Sequence, residues 1–152
     1  MKIIDKNKAL ILTQNICSKA EKCEKDIRIK LKSWNIPESE TDDIILSLIQ
    51  QNFINEKRFA ISFTNEKLKL LKWGKIKIKY ALMKKNISEE NISTALNEIS
   101  DDEYQEIITH ELDKKVNNIS ANNATEKKAK LLRFASSRGY EQDICFNILN
   151  ID

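Results

Sequence analysis

The chain has few residues that make tight turns, since its 152 residues include only 2 glycines and 1 proline. This is too few for a many-stranded sandwich or barrel, or for most glycine-rich phosphate-binding folds. No uninterrupted apolar run approaches the roughly 18 residues that a membrane helix requires. At the same time, 41% of the residues are hydrophobic, which argues against disorder. The composition therefore favours an all-α domain.

Residue patterns for catalysis or metal binding are also lacking. His110 is the one histidine and lies in an acidic segment without a cysteine or serine at a catalytic spacing. Cys17, Cys23 and Cys145 match no zinc-binding pattern. We expect no enzyme activity, no catalytic residue, no metal and no cofactor. The odd number of cysteines and the charged first residues predict a reduced, cytoplasmic protein.

The most informative feature that is present is an internal repeat. Asn35-Ile36-Pro37-Glu38 aligns with Asn86-Ile87-Ser88-Glu89 and with Gly139-Tyr140-Glu141-Gln142, at shifts of 51 and 53 residues. Apolar residues before each match are spaced by four, which is typical of one helix face. These residues are Ile27 and Leu31, Ile78 and Leu82, and Leu131 and Ala135.

The first residue of each match is Asn35, Asn86 or Gly139. Glycine and asparagine are the residues that best tolerate the left-handed conformation at a helix end. We therefore expect a helix to end there in every copy, with the next apolar residue folded back onto its last turn. Pro37 suits the first position of the following helix, and Ser88 suits an N-cap.

The segments around residues 27–31 and 76–80 alternate between apolar and charged residues, so a strand is an alternative for them. The third copy does not alternate, which favours helices with apolar residues on two faces. Ile78 and Leu82 then share one face. Ile76, Tyr80 and Met83 lie nearly opposite, where they are expected to pack on an adjoining repeat or on a partner.

A further helical stretch precedes each matched pair, so each unit has about three helices. The predicted fold is an all-α, elongated and curved array of three tandem three-helix repeats, comprising residues 1–54, 55–100 and 101–152. Residues 117–123 are the best loop candidate. The expected core residues are Phe59, Phe63, Leu71 and Trp73 in the second unit and Tyr104, Ile108 and Leu112 in the third.

Charge is divided into blocks along the chain, although the net charge is only +3. Residues 66–85 contain eight lysines and one acid, residues 86–113 contain nine acids and no Lys or Arg, and residues 114–138 contain seven basic residues and one Glu. Such blocks are often solvated helix faces. The alternative is that the basic middle helices meet phosphates or an acidic protein. Trp73 is expected in the core, whereas Tyr80 could pack or could stack on a base.

The central residues resemble a known family. Arg58-Phe59-Ala60 with Phe63, then Lys72-Trp73-Gly74, and then Ile78, Leu82 and Asn86-Ile87 resemble the central repeat of the bacterial regulatory protein RecX. The resemblance covers essentially the whole chain, although the outer repeats match loosely. Family members often have Asp where Asn55 stands and Gly where Asn86 stands.

The resemblance implies a non-enzymatic modulator of the RecA recombinase. No sustained heptad in the sequence demands a dimer, so a monomer is expected. RecX-like proteins bind the RecA filament on single-stranded DNA and inhibit its extension, ATP hydrolysis, strand exchange and SOS coprotease activity. The expected contact residues for the partner or nucleic acid are Arg58, Lys75, Lys77, Lys79, Tyr80, Lys84, Lys85, Lys127, Lys128, Lys130 and Arg133. The expected structural residues are Phe59, Trp73, Gly74, Ile78, Leu82, Asn86 and Gly139.

A second hypothesis needs no recombinase. The basic middle helices alone are compatible with a general helical nucleic-acid-binding module. Such a module would bind naked DNA tightly and would lose affinity steeply with salt. A filament modulator would instead prefer DNA coated with recombinase.

Overall fold

The computed structural model describes residues 3–150, which form nine α-helices and no strand. They are α1 (Lys6–Lys19), α2 (Glu24–Ser33), α3 (Glu38–Gln50), α4 (Glu56–Lys69), α5 (Lys75–Lys84), α6 (Glu89–Asn97), α7 (Asp101–Asn118), α8 (Ala124–Arg138) and α9 (Gln142–Leu149). Helices α1–α3, α4–α6 and α7–α9 pack as three successive groups. The all-α prediction is confirmed. The domain boundaries at 54/55 and 100/101 fall between helices and stay a prediction.

The first helix of each group begins with a side-chain cap. Asp5, Asn55 and Ser100 each accept a hydrogen bond from the backbone N–H three residues later. This satisfies one of the free N–H groups of the first turn. Ser88 caps α6 in the same way, as predicted. Pro37 stands at the N-cap of α3, one position before the predicted one, because its ψ of 150° is extended.

The middle helix of each group ends as the repeat predicted. Asn35, Asn86 and Gly139 have φ values of 60°, 61° and 85°, in the left-handed region. The N–H of the next residue then bonds to the carbonyl five residues back, at 3.0–3.1 Å in the three copies. The residues that follow the three helix ends are Ile36, Ile87 and Tyr140, and their side chains are buried. The backbone signal in the sequence therefore identified three real helix ends.

The apolar residues matched between the repeats form the core. Ile27, Leu31, Ile78, Leu82, Leu131 and Ala135 are all buried, as are Tyr104, Ile108 and Leu112. Leu71 was wrongly expected in the core and is 47% exposed, because α4 ends at Lys69 and the chain then turns through Lys72 with a φ of 59°.

The predicted loop at 117–123 is also shorter than expected. Helix α7 continues to Asn118, so that the irregular segment before α8 comprises residues 119–123.

The second apolar face of α5 has no covering helix. Ile76, Tyr80 and Met83 are 42%, 61% and 49% exposed. Ile76 lies against the third group, where it lines a groove with Leu132 and Tyr140. For Tyr80 and Met83, the predicted contact with a partner stays a prediction. Within residues 3–150, no helix combines the length and apolar character needed to cross a bilayer.

The buried residues divide into two cores. One core lies within the first group of helices, and the other runs continuously through the second and third groups. Cys23, at the start of α2, belongs to the second core. The accessible surface is 9683 Å², compared with about 7,900 Å² for a compact monomer of this mass. The array is therefore elongated.

The second and third groups are joined by the only two glycines of the chain. The N–H of Gly74 donates to the carbonyl of Arg138 at 2.6 Å, and the N–H of Ile76 donates to the carbonyl of Gly139 at 3.1 Å. A Cβ on Gly74 would lie 2.2 Å from the Gly139 oxygen. The C-terminus of α8 therefore meets the N-terminus of α5 directly, and the opposite ends of the two helix dipoles face each other.

Two tyrosines reinforce this junction. The hydroxyl of Tyr104 accepts from the Lys75 N–H at 2.9 Å and bonds to the Glu141 carboxylate. The hydroxyl of Tyr140 donates to the carbonyl of Lys72 at 2.6 Å, beside the left-handed turn. Burial raises the pKa of Tyr104 and raises that of Tyr140 to about 12, so both hydroxyls keep their protons.

The first and second groups meet through side chains instead. Lys25 Nζ donates to the carbonyl of Lys84 at 2.6 Å, and Lys85 Nζ lies 2.8 Å from the Asp26 carboxylate. Cys23 and Asn86 occupy the positions equivalent to Gly74 and Gly139. In space, therefore, the C-terminus of α8 lies next to the N-terminus of α5, and the C-terminus of α5 lies next to the N-terminus of α2.

We predict that Gly74→Ala lowers the free energy of unfolding by about 1–3 kcal/mol, because the new methyl group overlaps the Gly139 carbonyl. Chemical denaturation measures this change. Asn86→Gly is the matched control at the other junction and should change stability by at most about 1 kcal/mol. A Gly74→Ala protein as stable as wild type would contradict the close contact.

A buried ion pair fixes the end of α8 at this junction. The Glu111 carboxylate is 6% exposed and accepts a hydrogen bond from the Arg138 guanidinium at 2.9 Å. Burial alone would raise the pKa of Glu111, but this hydrogen bond and the nearby positive charges lower it below its usual 4.5. A lowered pKa means that the charged form stabilises the fold above pH 4.5 and that this stabilisation is lost as the pH falls through the lowered value.

We predict that Glu111→Gln lowers the free energy of unfolding by about 1–3 kcal/mol at pH 7. The difference from wild type should shrink as the pH falls below 4.5. Glu106→Gln on the exposed face of α7 is the control, with an expected effect of at most about 0.5 kcal/mol. Denaturation curves across pH 3–7 that showed a constant difference for Glu111→Gln would contradict the role of its charge.

Candidate partner and nucleic-acid interface

Apart from Arg58, which lies in α4, the predicted basic residues lie on the middle helices α5 and α8 and on the turn after α5. The structure divides them into two sets. One set has hydrogen-bond, ion-pair or aromatic partners within residues 3–150. The other set projects into solvent. The members with partners are Arg58, Lys75, Lys77, Lys85 and Lys130.

Lys75 and Lys77 form part of the junction between α8 and α5. Lys75 Nζ lies 4.8 Å from the centre of the Tyr104 ring, and Lys77 Nζ lies 4.5 Å from that of Trp73. Lys77 also donates to the carbonyl of Ser137 at 3.3 Å. Cations over aromatic faces and near helix C-termini are stabilising. Both lysines therefore have a structural role whether or not they also meet a partner.

Lys85 and Lys130 are engaged in ion pairs. Lys85 joins α5 to Asp26 of α2, as described above. Burial alone would raise the pKa of Asp26, but the hydrogen bond and charge of Lys85 outweigh this effect and lower it. Lys130 pairs with Glu126 at 3.3 Å and donates to the carbonyl of Ser120 in the loop before α8.

Five predicted cations have exposed side chains and no partner among residues 3–150. They are Lys79, Lys84, Lys127, Lys128 and Arg133. Tyr80 is 61% exposed and lies on the same face of α5 as Lys84, which follows it by four residues. The C-terminus of α8 meets the N-terminus of α5, so these cations are carried by two helices that follow one another end to end. They are the part of the predicted site that is available to an anionic partner.

Arg58 lies within an intramolecular network. Its guanidinium pairs with the Glu21 carboxylate and donates to the carbonyls of Asn52 and Phe53 at 3.0 and 3.4 Å. These bonds tie α4 to the end of α3 and to the segment before α2. Its role as a partner contact stays a prediction.

The predicted structural residues occupy internal positions. Phe59 is buried and Trp73 is half-buried between Lys67 and Lys77, at 5.3 and 4.5 Å from its ring centre. Gly74 and Gly139 form the junction. Ile78 and Leu82 lie in the core, and Asn86 ends α5.

The remaining candidates show no site. His110 is exposed on α7, and residues 3–150 hold no cluster of His, Cys, Asp or Glu suited to a metal. Cys17, Cys23 and Cys145 are buried free thiols. Burial raises the pKa of Cys23 and of Cys145 to about 11, so neither is a reactive thiolate at neutral pH.

Comparison with known proteins gives consistent matches. Residues 55–96 match the family model described as RecX, second three-helix domain, and residues 101–149 match that of the third. A regulatory protein RecX from Clostridium beijerinckii is 32% identical over 88% of this chain and 63% of its own length. One from Clostridium acetobutylicum is 35% identical over 80% and 58%.

This chain belongs to the RecX family. The crystal structure of RecX from Lactobacillus salivarius has a TM-score of 0.83 and 26% identity, and the match covers 95% of this chain and 94% of that one. The chain spans about three fifths of the length of the curated relatives above. Those RecX relatives are named as regulatory proteins and not as enzymes.

The departure from the RecX pattern at Asn55 has a simple structural explanation. The Asn55 side chain accepts from the Arg58 N–H at 2.9 Å and so caps α4. Asparagine and aspartate are equally good caps, so this substitution preserves the start of the helix.

Sequence reasoning missed several members of the junction. Tyr104 was assigned only to the core, Lys72 and Glu141 were named only within sequence matches, and the pair between Glu111 and Arg138 was not predicted. The presence of just two glycines was a usable signal, because a rare residue without a Cβ often marks a close backbone approach.

We predict that Arg58→Lys lowers the free energy of unfolding by about 1–2 kcal/mol, because lysine keeps the charge but cannot reproduce the planar set of donors. Thermal and chemical denaturation measure this loss. Lys57, the residue before Arg58, is exposed. Lys57→Arg is the control and should leave the free energy of unfolding unchanged. An Arg58→Lys protein with wild-type stability would argue that the network contributes little.

Proposed function

We propose that this protein is a non-enzymatic regulator that binds the RecA filament on single-stranded DNA in the cytoplasm. It inhibits filament extension and thereby lowers ATP hydrolysis, strand exchange and SOS coprotease activity. Each of its three helical groups acts as one binding unit of a monomer. Family membership supports the choice of partner, and the surface of the middle helices supports the mode of binding.

The observation that carries the proposal is the end-to-end arrangement of the middle helices. Exposed cations occur on α8, namely Lys127, Lys128 and Arg133, and on α5, namely Lys79 and Lys84, and the C-terminus of α8 meets the N-terminus of α5. A filament is an extended and repeating target. A linear array of helical units can follow such a target, whereas one compact patch cannot.

The opposite charge on the neighbouring helices supports a defined orientation. Helix α7 presents Asp102, Glu106 and Asp113 to solvent around a shallow surface depression. A phosphate backbone is repelled by this surface and attracted to the middle helices. Complementary charge of this kind selects the orientation and raises the rate of association.

We predict that the triple substitution Lys127→Glu, Lys128→Glu and Arg133→Glu weakens filament binding by at least about tenfold at low salt and lowers the slope of log affinity against log salt. Fluorescence anisotropy with labelled single-stranded DNA, bare or coated with RecA, provides the measurement. The substituted side chains are exposed, so circular dichroism should remain unchanged.

The matched control reverses three exposed cations elsewhere, Lys19, Lys32 and Lys57, and should retain most of the affinity. A folded α8 variant that binds filaments as well as wild type would contradict the proposed surface. Wild-type protein that binds bare DNA as tightly as coated DNA would favour the general nucleic-acid-binding module instead.

A further inference from the structure

The same surface groove occurs in all three helical groups. In the second group it lies between α5 and α6 and is lined by Lys79, Met83, Ile87, Glu89 and Ile92. Each of these residues lies 51 positions after a residue that lines the groove between α2 and α3. In the third group, the groove beside α8 and α9 contains the five residues that lie 53 positions after those of the second groove. The fold therefore builds one groove per unit, at equivalent positions.

In the first groove, two carboxylates of the chain itself form ion pairs with Arg28. Arg28 stands at the position equivalent to Lys79. Its guanidinium lies 2.8 Å from the Asp42 carboxylate and 3.0 Å from that of Glu24. Intramolecular carboxylates thus occupy the cationic edge of this groove.

The second groove lacks both of these acids. Ser93 replaces Asp42 and Lys75 replaces Glu24 at the equivalent positions. Lys79 is exposed and has no hydrogen-bond or ion-pair partner among residues 3–150. The positive charge of Lys79 is therefore available to a ligand, whereas that of the equivalent Arg28 is paired with Asp42.

Apolar side chains lie next to this free cation. Met83 is 49% exposed, and Tyr80 beside Lys79 is 61% exposed. Buried Ile87 and Ile92 form the floor of the groove. The third groove differs again, because Leu132 stands where Lys79 does and supplies no charge. Among the three grooves, the second is the one that has an unpaired cation at the Lys79 position next to an exposed apolar side chain of the lining, Met83, whereas the first groove has the exposed Lys32 at the Met83 position.

We propose that the second groove binds a peptide segment of the protein partner in which a carboxylate lies next to an apolar side chain. The carboxylate pairs with Lys79 as Asp42 pairs with Arg28, and the apolar side chain packs on Met83 and Tyr80. The assignment rests on the proposed function, since it takes the protein component of the filament as the partner. It also assigns Lys79 to the protein contact and leaves the phosphate contacts to the cations of α8 and to Lys84.

A nucleic-acid backbone suits this groove less well. Glu89 lies on the opposite edge and repels a second anion, so the groove suits a single carboxylate beside Lys79 better than a run of phosphates. Phosphates also gain little from a methionine and two isoleucines, whereas an apolar peptide side chain gains the free energy of burial. The exposed cations of α8 have no comparable apolar lining.

Ser93→Asp tests the proposal by giving Lys79 the intramolecular carboxylate that Arg28 already has. Ser93 is exposed in the middle of α6, and α3 holds Asp42 at the equivalent position, so the variant should fold. Ser93→Asn is the neutral control. Gln105→Glu on α7 makes the same change in net charge outside the groove.

Binding to single-stranded DNA, bare and coated with the recombinase, is measured for each protein. Ser93→Asp should bind the coated DNA at least about threefold more weakly than Gln105→Glu, and Ser93→Asn should match wild type. The two acidic variants should bind bare DNA equally. Lys79→Gln should reproduce the loss on coated DNA.

Three outcomes would overturn the proposal in distinguishable ways. If wild type prefers coated DNA and both Ser93→Asp and Lys79→Gln bind it normally, the groove has no role while the proposed function stands. If Ser93→Asp weakens binding to bare and coated DNA equally, the groove contacts phosphates. If wild type shows no preference for coated DNA, the proposed function fails and the groove loses its protein partner with it.

Discussion

The direct contact between Gly74 and Gly139 is the constraint on which the rest of the array depends. Two backbone hydrogen bonds join the end of α8 to the start of α5, and any Cβ at Gly74 would overlap the Gly139 carbonyl. Because backbone meets backbone, little side-chain freedom remains at this junction. The continuous core through the second and third groups follows from that contact. The first group is joined through side chains instead, namely Lys25, Lys85 and Arg58.

This arrangement determines which charges remain available. Lysines at the helix junctions are held by aromatic rings, carbonyls or acids, so they stabilise the array. Lys79, Lys84, Lys127 and Lys128 have no such side-chain partners among residues 3–150 and can meet a ligand. One repeat thus carries two kinds of basic residue, and the groups that each side chain faces separate them. The same repeat produces three grooves whose linings differ in charge, which allows one fold to make several distinct contacts.

Much of the fold could be predicted from the sequence, because its strongest signals are local. Asn35, Asn86 and Gly139 marked helix ends through backbone conformation alone, and the matched apolar residues identified the buried faces. The failures involve tertiary context. Leu71 was expected in the core, but the chain turns at Lys72, a residue with no intrinsic preference for a left-handed conformation. Nothing local distinguishes Lys77, over Trp73, from Lys79, which is free, so the candidate site could be predicted as a set but not divided into its two parts.

The most direct test of the account is the rate of single-stranded-DNA-dependent ATP hydrolysis by the cognate RecA as this protein is titrated at fixed salt. If the exposed cations along α8 and α5 engage the filament, the rate falls at protein concentrations well below that of RecA. An unchanged rate at excess protein, together with tight binding to bare DNA, would contradict the account. The middle helices would then form a general nucleic-acid-binding surface that shares the RecX architecture without its proposed partner.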